Sequence, residues 1–215
     1  MQDYLTRMAT FFDALPLTDG EGQAIGQAVQ FASGEMEKND GAHTNEHLFW
    51  RAFEQKSRFT QKELEDLFQQ FYVEEFPKVG YLAQDNGVMP EVVKVLADKG
   101  YPLAVATNPV FPLVANKARL AWAKVDDIAW QEITGFEKYH HCKPDPQFFV
   151  EVCHNIKATP EKCLMIGNGL IEDVAAVQAG LDFYLVTDEV KDGKPEDYDG
   201  RKGSRQDLLA FVQTL

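Results

Sequence analysis

The sequence has few cysteines and no arrangement of them that indicates a cross-link or a metal site. Its three cysteines, Cys142, Cys153 and Cys163, are odd in number and widely spaced, and no Cys-x-x-Cys occurs. Neither a disulfide framework nor a structural zinc site is therefore indicated. Because disulfides accumulate in oxidising compartments, this cysteine usage favours a reducing, cytoplasmic location.

Long apolar runs and an excess of basic residues are also missing. No apolar run approaches the roughly 20 residues that span a bilayer. The N-terminal MQDYLTRMATFF has no basic region leading into an apolar one, so it does not read as a signal peptide. The 34 acidic and 21 basic side chains give a net charge of −13. Such a surface repels phosphate backbones and anionic lipids, so we expect neither nucleic acid nor a membrane as a partner.

Apolar residues are plentiful enough to form a core. They make up 45% of the 215 residues, and 12% are aromatic. In the first 80 residues they recur at helical spacing, as at Tyr4, Met8 and Phe11, and no strand is predicted before about residue 100. Thr60 followed three residues later by Glu63 predicts the capped start of a helix. This region is predicted to be a helical bundle.

After Asp85-Asn86-Gly87, short apolar strands alternate with helices. Strands are predicted at 101–106, 128–133, 163–166 and 183–186, with helices at 90–100, 110–122, 146–156, 172–179 and 206–212 and a polar, turn-rich segment at 191–203. The alternation predicts a parallel sheet with helices on both faces, the last helix packing back on the sheet. Ligands bind such sheets at the carboxyl ends of the strands, so the residues that follow the strands are candidate site residues.

Two of these strand ends carry polar residues suited to phosphate. Thr107 and Asn108 directly follow the first predicted strand. A hydroxyl and a backbone N–H ahead of a helix can bind a phosphate oxygen, although a threonine there is also an ordinary helix cap. Lys143 lies between His141-Cys142 and Pro144-Asp145-Pro146, whose prolines fix the backbone and start a helix. Held there, it can stabilise phosphate charge; the alternative is a solvated surface lysine.

An acidic loop follows the strand at 163–166. It runs Gly167-Asn168-Gly169-Leu170-Ile171-Glu172-Asp173. Its carboxylates are suited to Mg²⁺, which prefers hard oxygen ligands. They can equally cap the next helix, as acidic residues do in a first turn.

In their order along the chain, these motifs resemble those of the haloacid dehalogenase (HAD)-like hydrolase superfamily, whose members are mostly phosphatases. Thr107 matches the second motif of the family and Lys143 matches the third. Gly167, Asn168 and Asp173 match the fourth, a strand followed by Gly-Asp and then an acid. The phrases ATNPVFP, CKPDP and GN-x-x-x-ED also resemble one bacterial subgroup of unassigned substrate.

The resemblance is close from about residue 87 to residue 188 and looser before it. It implies an α/β, HAD-like (Rossmann-like) core with a parallel sheet and helices on both faces at residues 84–215. It implies an α-helical cap at residues 19–83, with the helix at 1–18 packing at the junction of core and cap. No segment of the sequence matches the first strand of the family's sheet, so we expect this strand to be missing.

The resemblance also implies an activity, the Mg²⁺-dependent hydrolysis of a small phosphorylated metabolite. The implied roles are phosphate binding by Thr107, Asn108 and Lys143, catalysis by Thr107 and Lys143, and metal support by Asp173, Glu172 and Asn168. Dehalogenation is a minority chemistry on this scaffold and needs the same nucleophile. The sequence therefore does not separate these two reactions, and it predicts no oligomeric state.

The first motif of the family, a strand followed by Asp-x-Asp-x-Thr, has no counterpart in the sequence. Its first Asp attacks phosphorus and its second is the general acid and base. The nearest imitation is at Phe12-Asp13-Ala14, but Leu15 stands where the second Asp should be, and Asp13 lies on an amphipathic helix. Asn168 also replaces the usual metal-binding Asp of the fourth motif.

Two explanations account for this departure. The sequence is a gene fragment or starts at a late codon, so that the first strand and its loop are missing. Alternatively, the chain is a degenerate, non-catalytic relative that binds a ligand or a partner protein. Under either explanation we expect this chain to be inactive as a hydrolase and to bind Mg²⁺ poorly.

Overall fold

The computed structural model describes residues 2–83 and 87–215. Its helices are α1 (Gln2–Asp13), α2 (Gly22–Met36), α3 (Asn45–Lys56), α4 (Gln61–Glu74), α5 (Met89–Asp98), α6 (Leu113–Trp122), α7 (Pro146–Asn155) and α8 (Arg205–Thr214). Its strands are β1 (Ala104–Val105), β2 (Glu132–Ile133), β3 (Leu164–Gly167), β4 (Asp182–Val186) and β5 (Arg201–Gly203). A 3₁₀ helix of seven residues lies at Phe76–Leu82, and shorter 3₁₀ turns lie at Pro160–Lys162, Val174–Val177 and Pro195–Asp197.

The chain separates into two compact units. The first consists of Met1–Gln84, Pro109–Ala123 and Gly135–His141, and the second of Asp85–Asn108, Lys124–Thr134 and Cys142–Leu215. Asp85 and Asn86 of the predicted turn lie outside the described residues. The assignment of residues 19–83 to a cap and 84–215 to a core stays a prediction. None of the described helices is long and apolar enough to cross a membrane.

The first unit is a helical bundle with an aromatic core, as the spacing of apolar residues predicted. On α1, Tyr4, Met8 and Phe12 are buried, and the Phe12 ring lies 4.9 Å from that of Phe68 on α4. The hydroxyls of Tyr4 and Tyr72 share a hydrogen bond of 2.7 Å. Burial raises the pKa of the Tyr4 hydroxyl well above its usual value, so this pair is neutral inside the bundle.

The start of α4 is the capping box that the sequence predicted. The backbone N–H and the hydroxyl of Thr60 both donate to Oε2 of Glu63, each at 2.8 Å. These hydrogen bonds hold the pKa of Glu63 below its usual value. The helix start is therefore fixed by residues three positions apart, which is why the sequence alone located it.

The second unit contains two parallel sheets. In one, β1 pairs with β2, with Ala104 opposite Glu132. In the other, β4 lies between β3 and β5, with Ile166 opposite Tyr184 on one side. The predicted alternation of parallel strands and helices is confirmed.

Two local predictions in this unit are wrong. Residues 201–203 were assigned to a turn-rich segment but form β5, which pairs with β4. An edge strand needs a partner on one side only, so the polar Arg201-Lys202-Gly203 can form one without an apolar pattern. Residues 172–179 were predicted to be helical but contain only the 3₁₀ turn Val174–Val177. The N–H groups of Ala176, Gln178 and Ala179 donate to carbonyls three residues earlier, not four, which is the 3₁₀ pattern.

One face of the larger sheet packs on α5 and α8. Tyr184 and Val186, two residues apart on β4, join Val92, Leu208 and Val212 in a buried cluster. Alternate strand residues point to the same face, so this spacing covers the sheet with both helices. The prediction that the last helix packs back on the sheet is confirmed.

Within the described residues, β1 and β3 each pair along one edge only. β1 pairs with β2, and β3 pairs with β4. Leu164–Gly167 of β3 are only half-buried, whereas residues 183–186 of β4 are buried. An apolar strand that is half-buried beside an unpaired edge can accept a further strand.

Truncation of Leu208 to alanine should destabilise the protein strongly. Leu208 is 0% exposed in the cluster between sheet and helices, so Leu208→Ala should lower the free energy of unfolding by about 2–5 kcal/mol. Urea unfolding followed by circular dichroism measures the change. Leu215→Ala is the matched control, because Leu215 is 49% exposed and should change stability by less than about 0.5 kcal/mol. Equal effects of the two substitutions would contradict the assignment of the core.

Candidate functional site

The residues after β1 are tied to two neighbouring segments of the second unit. The carbonyl oxygen of Thr107 accepts a hydrogen bond from Oγ1 of Thr134, just after β2, at 2.7 Å. The side-chain oxygen of Asn108 accepts the backbone N–H of Lys143 at 3.0 Å. Tertiary structure thereby brings Asn108, the neighbour of Thr107 in the chain, into contact with the backbone of Lys143.

Lys143 is buried. Its exposed fraction is 6%, and its Nζ donates to Oδ1 of Asp173 at 2.6 Å. The same ammonium lies 5.7 Å and 5.6 Å from the ring centroids of Phe148 and Phe149, within range of a cation–π attraction. The alternative of a solvated surface lysine is therefore wrong.

The start of α7 sets the position of Lys143. Oδ1 of Asp145 accepts the backbone N–H of Gln147 at 2.9 Å and caps the helix. Pro146 is the first residue of the helix, a position where its missing N–H is not needed. The lysine thus stands three residues ahead of a fixed helix start, as the two prolines predicted.

The carboxylate of Asp173 is compensated by three donors. Oδ1 accepts from Lys143, and Oδ2 accepts the backbone N–H groups of Asn168 at 3.0 Å and Gly169 at 2.9 Å. Asp173 is only 8% exposed, and a buried carboxylate is stable only with such partners. It connects the loop after β3 to the lysine ahead of α7.

Gly167, the last residue of β3, makes room for this carboxylate. A Cβ atom at Gly167 would lie 2.4 Å from Oδ2 and 2.6 Å from Cγ of Asp173. Atoms at such distances overlap, and the three hydrogen bonds prevent the carboxylate from moving away. Glycine at this position is therefore a steric requirement of the ion pair.

A family model of haloacid dehalogenase-like hydrolases matches residues 6–180. The match runs from the helical first unit through the loop that holds Asp173. The chain belongs to the haloacid dehalogenase-like hydrolases. No protein with a curated description matches the sequence.

Solved structures of HAD-like proteins share the fold along nearly the whole chain. A HAD phosphatase from Thermococcus onnurineus is 15% identical with a TM-score of 0.56, over 98% of this chain and 89% of that one. A predicted phosphoglycolate phosphatase from Haemophilus somnus 129pt is 19% identical with a TM-score of 0.53, over 98% and 92%. L-2-haloacid dehalogenase from Xanthobacter autotrophicus, with chloropropionic acid covalently bound, is 12% identical with a TM-score of 0.55, over 99% and 94%. At such identities the likeness concerns the fold, which is shared by both reaction classes.

The described residues of this HAD-like core do not by themselves fit a magnesium ion. Asp173 already binds Lys143 and two backbone amides, Glu172 is exposed, and Nδ2 of Asn168 donates to the carbonyl of Glu189 at 2.6 Å. No three His, Cys, Asp or Glu side chains in residues 2–83 and 87–215 are grouped to hold a metal. Mg²⁺ needs several oxygen ligands, so the metal role of Asp173, Glu172 and Asn168 stays a prediction.

Asp13 has a structural partner. It ends α1, and its Oδ1 accepts the backbone N–H of Gly22 at 2.7 Å, which joins the end of α1 to the start of α2. A Cβ at Gly22 would lie 2.0 Å from the carbonyl oxygen of Ala9, so the two helices approach closely there. Asp13 does not follow a strand, in agreement with its rejection as the nucleophile.

One Asp-x-Asp sequence does occur in the chain, at Asp197-Tyr198-Asp199. It follows no strand and has Arg201 where the HAD motif has Thr. Oδ2 of Asp197 accepts the backbone N–H of Lys194 at 2.8 Å and closes the 3₁₀ turn Pro195–Asp197. Asp197 is therefore a turn residue, and the first motif of the family is absent from this sequence.

The helix after Thr107 and Asn108 begins later than predicted. α6 starts at Leu113, and its Leu113 N–H donates to Oε1 of Glu137 at 2.8 Å. The prediction that Thr107 and Asn108 stand just before the helix is wrong, because residues 109–112 intervene. A carboxylate of the first unit occupies the helix start, where the dipole favours negative charge.

Several contributors to the site were not predicted. The hydroxyl of Thr134 holds the backbone of Thr107, and the rings of Phe148 and Phe149 cover the ammonium of Lys143. Thr134 directly follows the predicted strand at 128–133, so the rule of strand-end residues could have found it. The two rings carry no such signal, because phenylalanines at a helix start read as ordinary core residues.

Loss of the Asp173 charge should destabilise the second unit. Asp173→Asn leaves the Lys143 ammonium buried without a counter-ion, so the free energy of unfolding should fall by about 3–5 kcal/mol. Urea unfolding measures the change. The double variant with Lys143→Met and Asp173→Asn should lose less unfolding free energy than the two single variants lose in sum.

The matched control for this ion pair is Lys94→Ala. The Lys94–Asp98 pair is solvent-exposed, with side chains 70% and 65% exposed, and exposed pairs contribute less than about 1 kcal/mol. If Asp173→Asn cost no more than Lys94→Ala, the Lys143–Asp173 bond would not hold the site together.

Gly167→Ala should displace Asp173. The added methyl overlaps the carboxylate, so we expect a loss of about 1–3 kcal/mol or more in unfolding free energy. Gly34→Ala is the control, because no atom lies within 4 Å of a Cβ at Gly34 in α2 and alanine there should be neutral or stabilising by up to about 1 kcal/mol. A Gly167→Ala chain as stable as wild type would refute the steric role of Gly167.

Proposed function

We propose that this chain carries the phosphate-binding half of a HAD-like phosphatase site that acts on the phosphate monoester of a small metabolite. The observation that supports the proposal is the buried ammonium of Lys143, hydrogen-bonded to Asp173 at 2.6 Å and joined through its backbone to Asn108. Ligands bind an open α/β sheet at the carboxyl ends of its strands. Asn108 follows β1 and Asp173 follows β3, and Lys143, ahead of α7, contacts both.

The donors of Lys143, Thr107 and Asn108 are suited to an anion with several oxygen atoms. An ammonium has three N–H donors, and one of them donates to Asp173. The others, together with the hydroxyl of Thr107 and the side-chain amide of Asn108, would donate to phosphate oxygens. In a buried site, donors fixed before the reaction stabilise developing negative charge far more than they would in water.

The nucleophile of this reaction is an Asp that the sequence does not contain at a strand end. We propose that a further strand, followed by Asp-x-Asp-x-Thr, pairs with the open edges of β1 and β3. Support comes from the two separate sheets and from the half-buried apolar residues of β3. Its first carboxylate would attack phosphorus, form an aspartyl-phosphate and release the alcohol, and water would then release inorganic phosphate. Residues 1–215 alone would bind phosphate without turnover.

The second candidate function is a non-catalytic HAD-like module that binds a ligand or a partner protein. Two observations favour it. The carboxylate of Asp173 already accepts hydrogen bonds from three donors, and the side-chain amide of Asn168 donates to a backbone carbonyl. These side chains would therefore be poor ligands for magnesium. The small-metabolite substrate and the cytoplasmic location stay predictions under both functions.

Binding of inorganic phosphate tests the first proposal. Titration followed by ³¹P NMR and by thermal unfolding should show saturable binding, with the midpoint of unfolding rising as phosphate is added. Lys143→Met should weaken binding by at least about tenfold, because a charge-assisted contact contributes more than about 1.4 kcal/mol. Lys94→Met is the control and should bind like wild type. Equal phosphate affinity in all three proteins would overturn the assignment of Lys143.

Turnover separates the remaining alternatives. We expect no hydrolysis of p-nitrophenyl phosphate by residues 1–215, and hydrolysis by a longer chain if the DNA upstream of Met1 encodes an in-frame strand and Asp-x-Asp-x-Thr. Turnover by residues 1–215 that Lys143→Ala abolishes would contradict the absence of a nucleophile. A stop codon directly upstream favours the non-catalytic module. Release of chloride from 2-chloropropionate by the longer chain, without phosphatase activity, would favour dehalogenation.

A further inference from the structure

Two of the three cysteines lie in contact inside the second unit. Sγ of Cys153, on α7, and Sγ of Cys163, directly before β3, are 3.7 Å apart. Cys153 is buried, at 2% exposure, whereas Cys163 is partly exposed. A disulfide has a sulfur–sulfur distance of about 2.05 Å, so the two sulfur atoms are in contact but must move closer to form a bond.

The backbone between the cysteines is held in place. The N–H of Ala158 donates to the carbonyl of Cys153 at 2.9 Å, and the N–H of Cys163 donates to the carbonyl of Pro160 at 2.9 Å. The Cys163 sulfur also contacts the carbonyl oxygen of Thr159 at 3.4 Å. Lys157 adopts a positive φ of 57° to close the turn. The proximity of the sulfurs therefore follows from an ordered connection between α7 and β3.

We propose that Cys153 and Cys163 form a redox-sensitive dithiol that closes to an intramolecular disulfide when a peroxide reaches it. Cys163 is the thiol that solvent reaches. The Cys163 thiol releases its proton, and the thiolate attacks one oxygen of the peroxide, which breaks the O–O bond and leaves a sulfenic acid. From hydrogen peroxide, the leaving hydroxide takes up the released proton and becomes one water.

Cys153 then completes the bond. Its sulfur attacks the sulfenic sulfur of Cys163, the S–S bond forms, and hydroxide leaves with the Cys153 proton as a second water. Two thiols are oxidised and one hydrogen peroxide is reduced to two waters. Burial, with Cys163 and Glu161 nearby, raises the pKa of the Cys153 thiol to about 12, which supports the order of events, because Cys153 is a weak nucleophile towards the oxidant itself.

The disulfide would join the two elements that carry the ion pair. α7 begins three residues after Lys143, and β3 ends at Gly167 and leads to Asp173. A bond between the end of α7 and the start of β3 limits their separation, so the oxidised chain should resist urea at higher concentration than the reduced chain.

The experiment uses the full chain with Cys142→Ser. This substitution is needed because trypsin leaves Cys142 and Cys153 in one peptide, 139–157, with Cys163 in another, 163–191. After treatment of the folded protein with hydrogen peroxide, thiol titration should fall from two groups to none. Mass spectrometry should show the two peptides linked, with the loss of two hydrogens from a monomer. Dithiothreitol should reverse both changes.

Single variants give the matched controls. Cys153→Ser and Cys163→Ser should each form no intramolecular link, and both should keep the circular dichroism spectrum of the parent. A linked peptide in the parent alone supports the proposal. Oxidation of Cys163 to sulfinic acid with Cys153 still a thiol, or only intermolecular links through Cys163, would overturn it. Phosphate binding plays no part in this test, so its outcome is independent of the proposed phosphatase site.

Discussion

The buried ion pair between Lys143 and Asp173, with Nζ and Oδ1 2.6 Å apart, is the interaction on which the candidate site depends. It joins the turn ahead of α7 to the loop after β3, and Asn108 links the end of β1 to the same lysine. Two charges at 5% and 12% side-chain exposure persist only because each compensates the other. The segments after β1 and β3 and the turn ahead of α7 are therefore held together through Lys143.

This dependence explains several features of the loop after β3. Gly167 must lack a side chain because the carboxylate occupies the space of a Cβ. The backbone of Asn168 and Gly169 turns its N–H groups towards the same carboxylate, and the segment that follows is a short 3₁₀ turn. Asp173, bound in this way, serves as the counter-ion of Lys143. Its use for a metal would require rearrangement or additional ligands.

The two units differ in how many of their backbone hydrogen-bonding groups find a partner within the described residues. The first unit buries its aromatic residues among helices, each of which hydrogen-bonds internally and needs only an apolar face to pack. The second unit contains strands, whose backbone groups need neighbouring strands, and among the described residues β1 and β3 each have one. The described part of the second unit therefore has strand edges that can still accept a partner, whereas a helix needs none.

Local and short-range features were determined by the sequence. Helix periodicity, the Thr60 capping box and the parallel strand–helix alternation follow from spacings of a few residues. The positions of Thr107 and Asp173 after strands, and of Lys143 just before a helix, follow in the same way. The polar edge strand β5 was not predicted, because pairing with β4 outweighs local propensity there. The short turn after Asp173 was predicted as a helix, because apolar spacing does not separate bonds three residues apart from bonds four residues apart. Tertiary structure alone decided that Lys143 is buried and that Asp173 serves as its counter-ion. It also decided that Cys153 and Cys163 are in contact, because each of these pairs joins segments whose separation in space is set by packing.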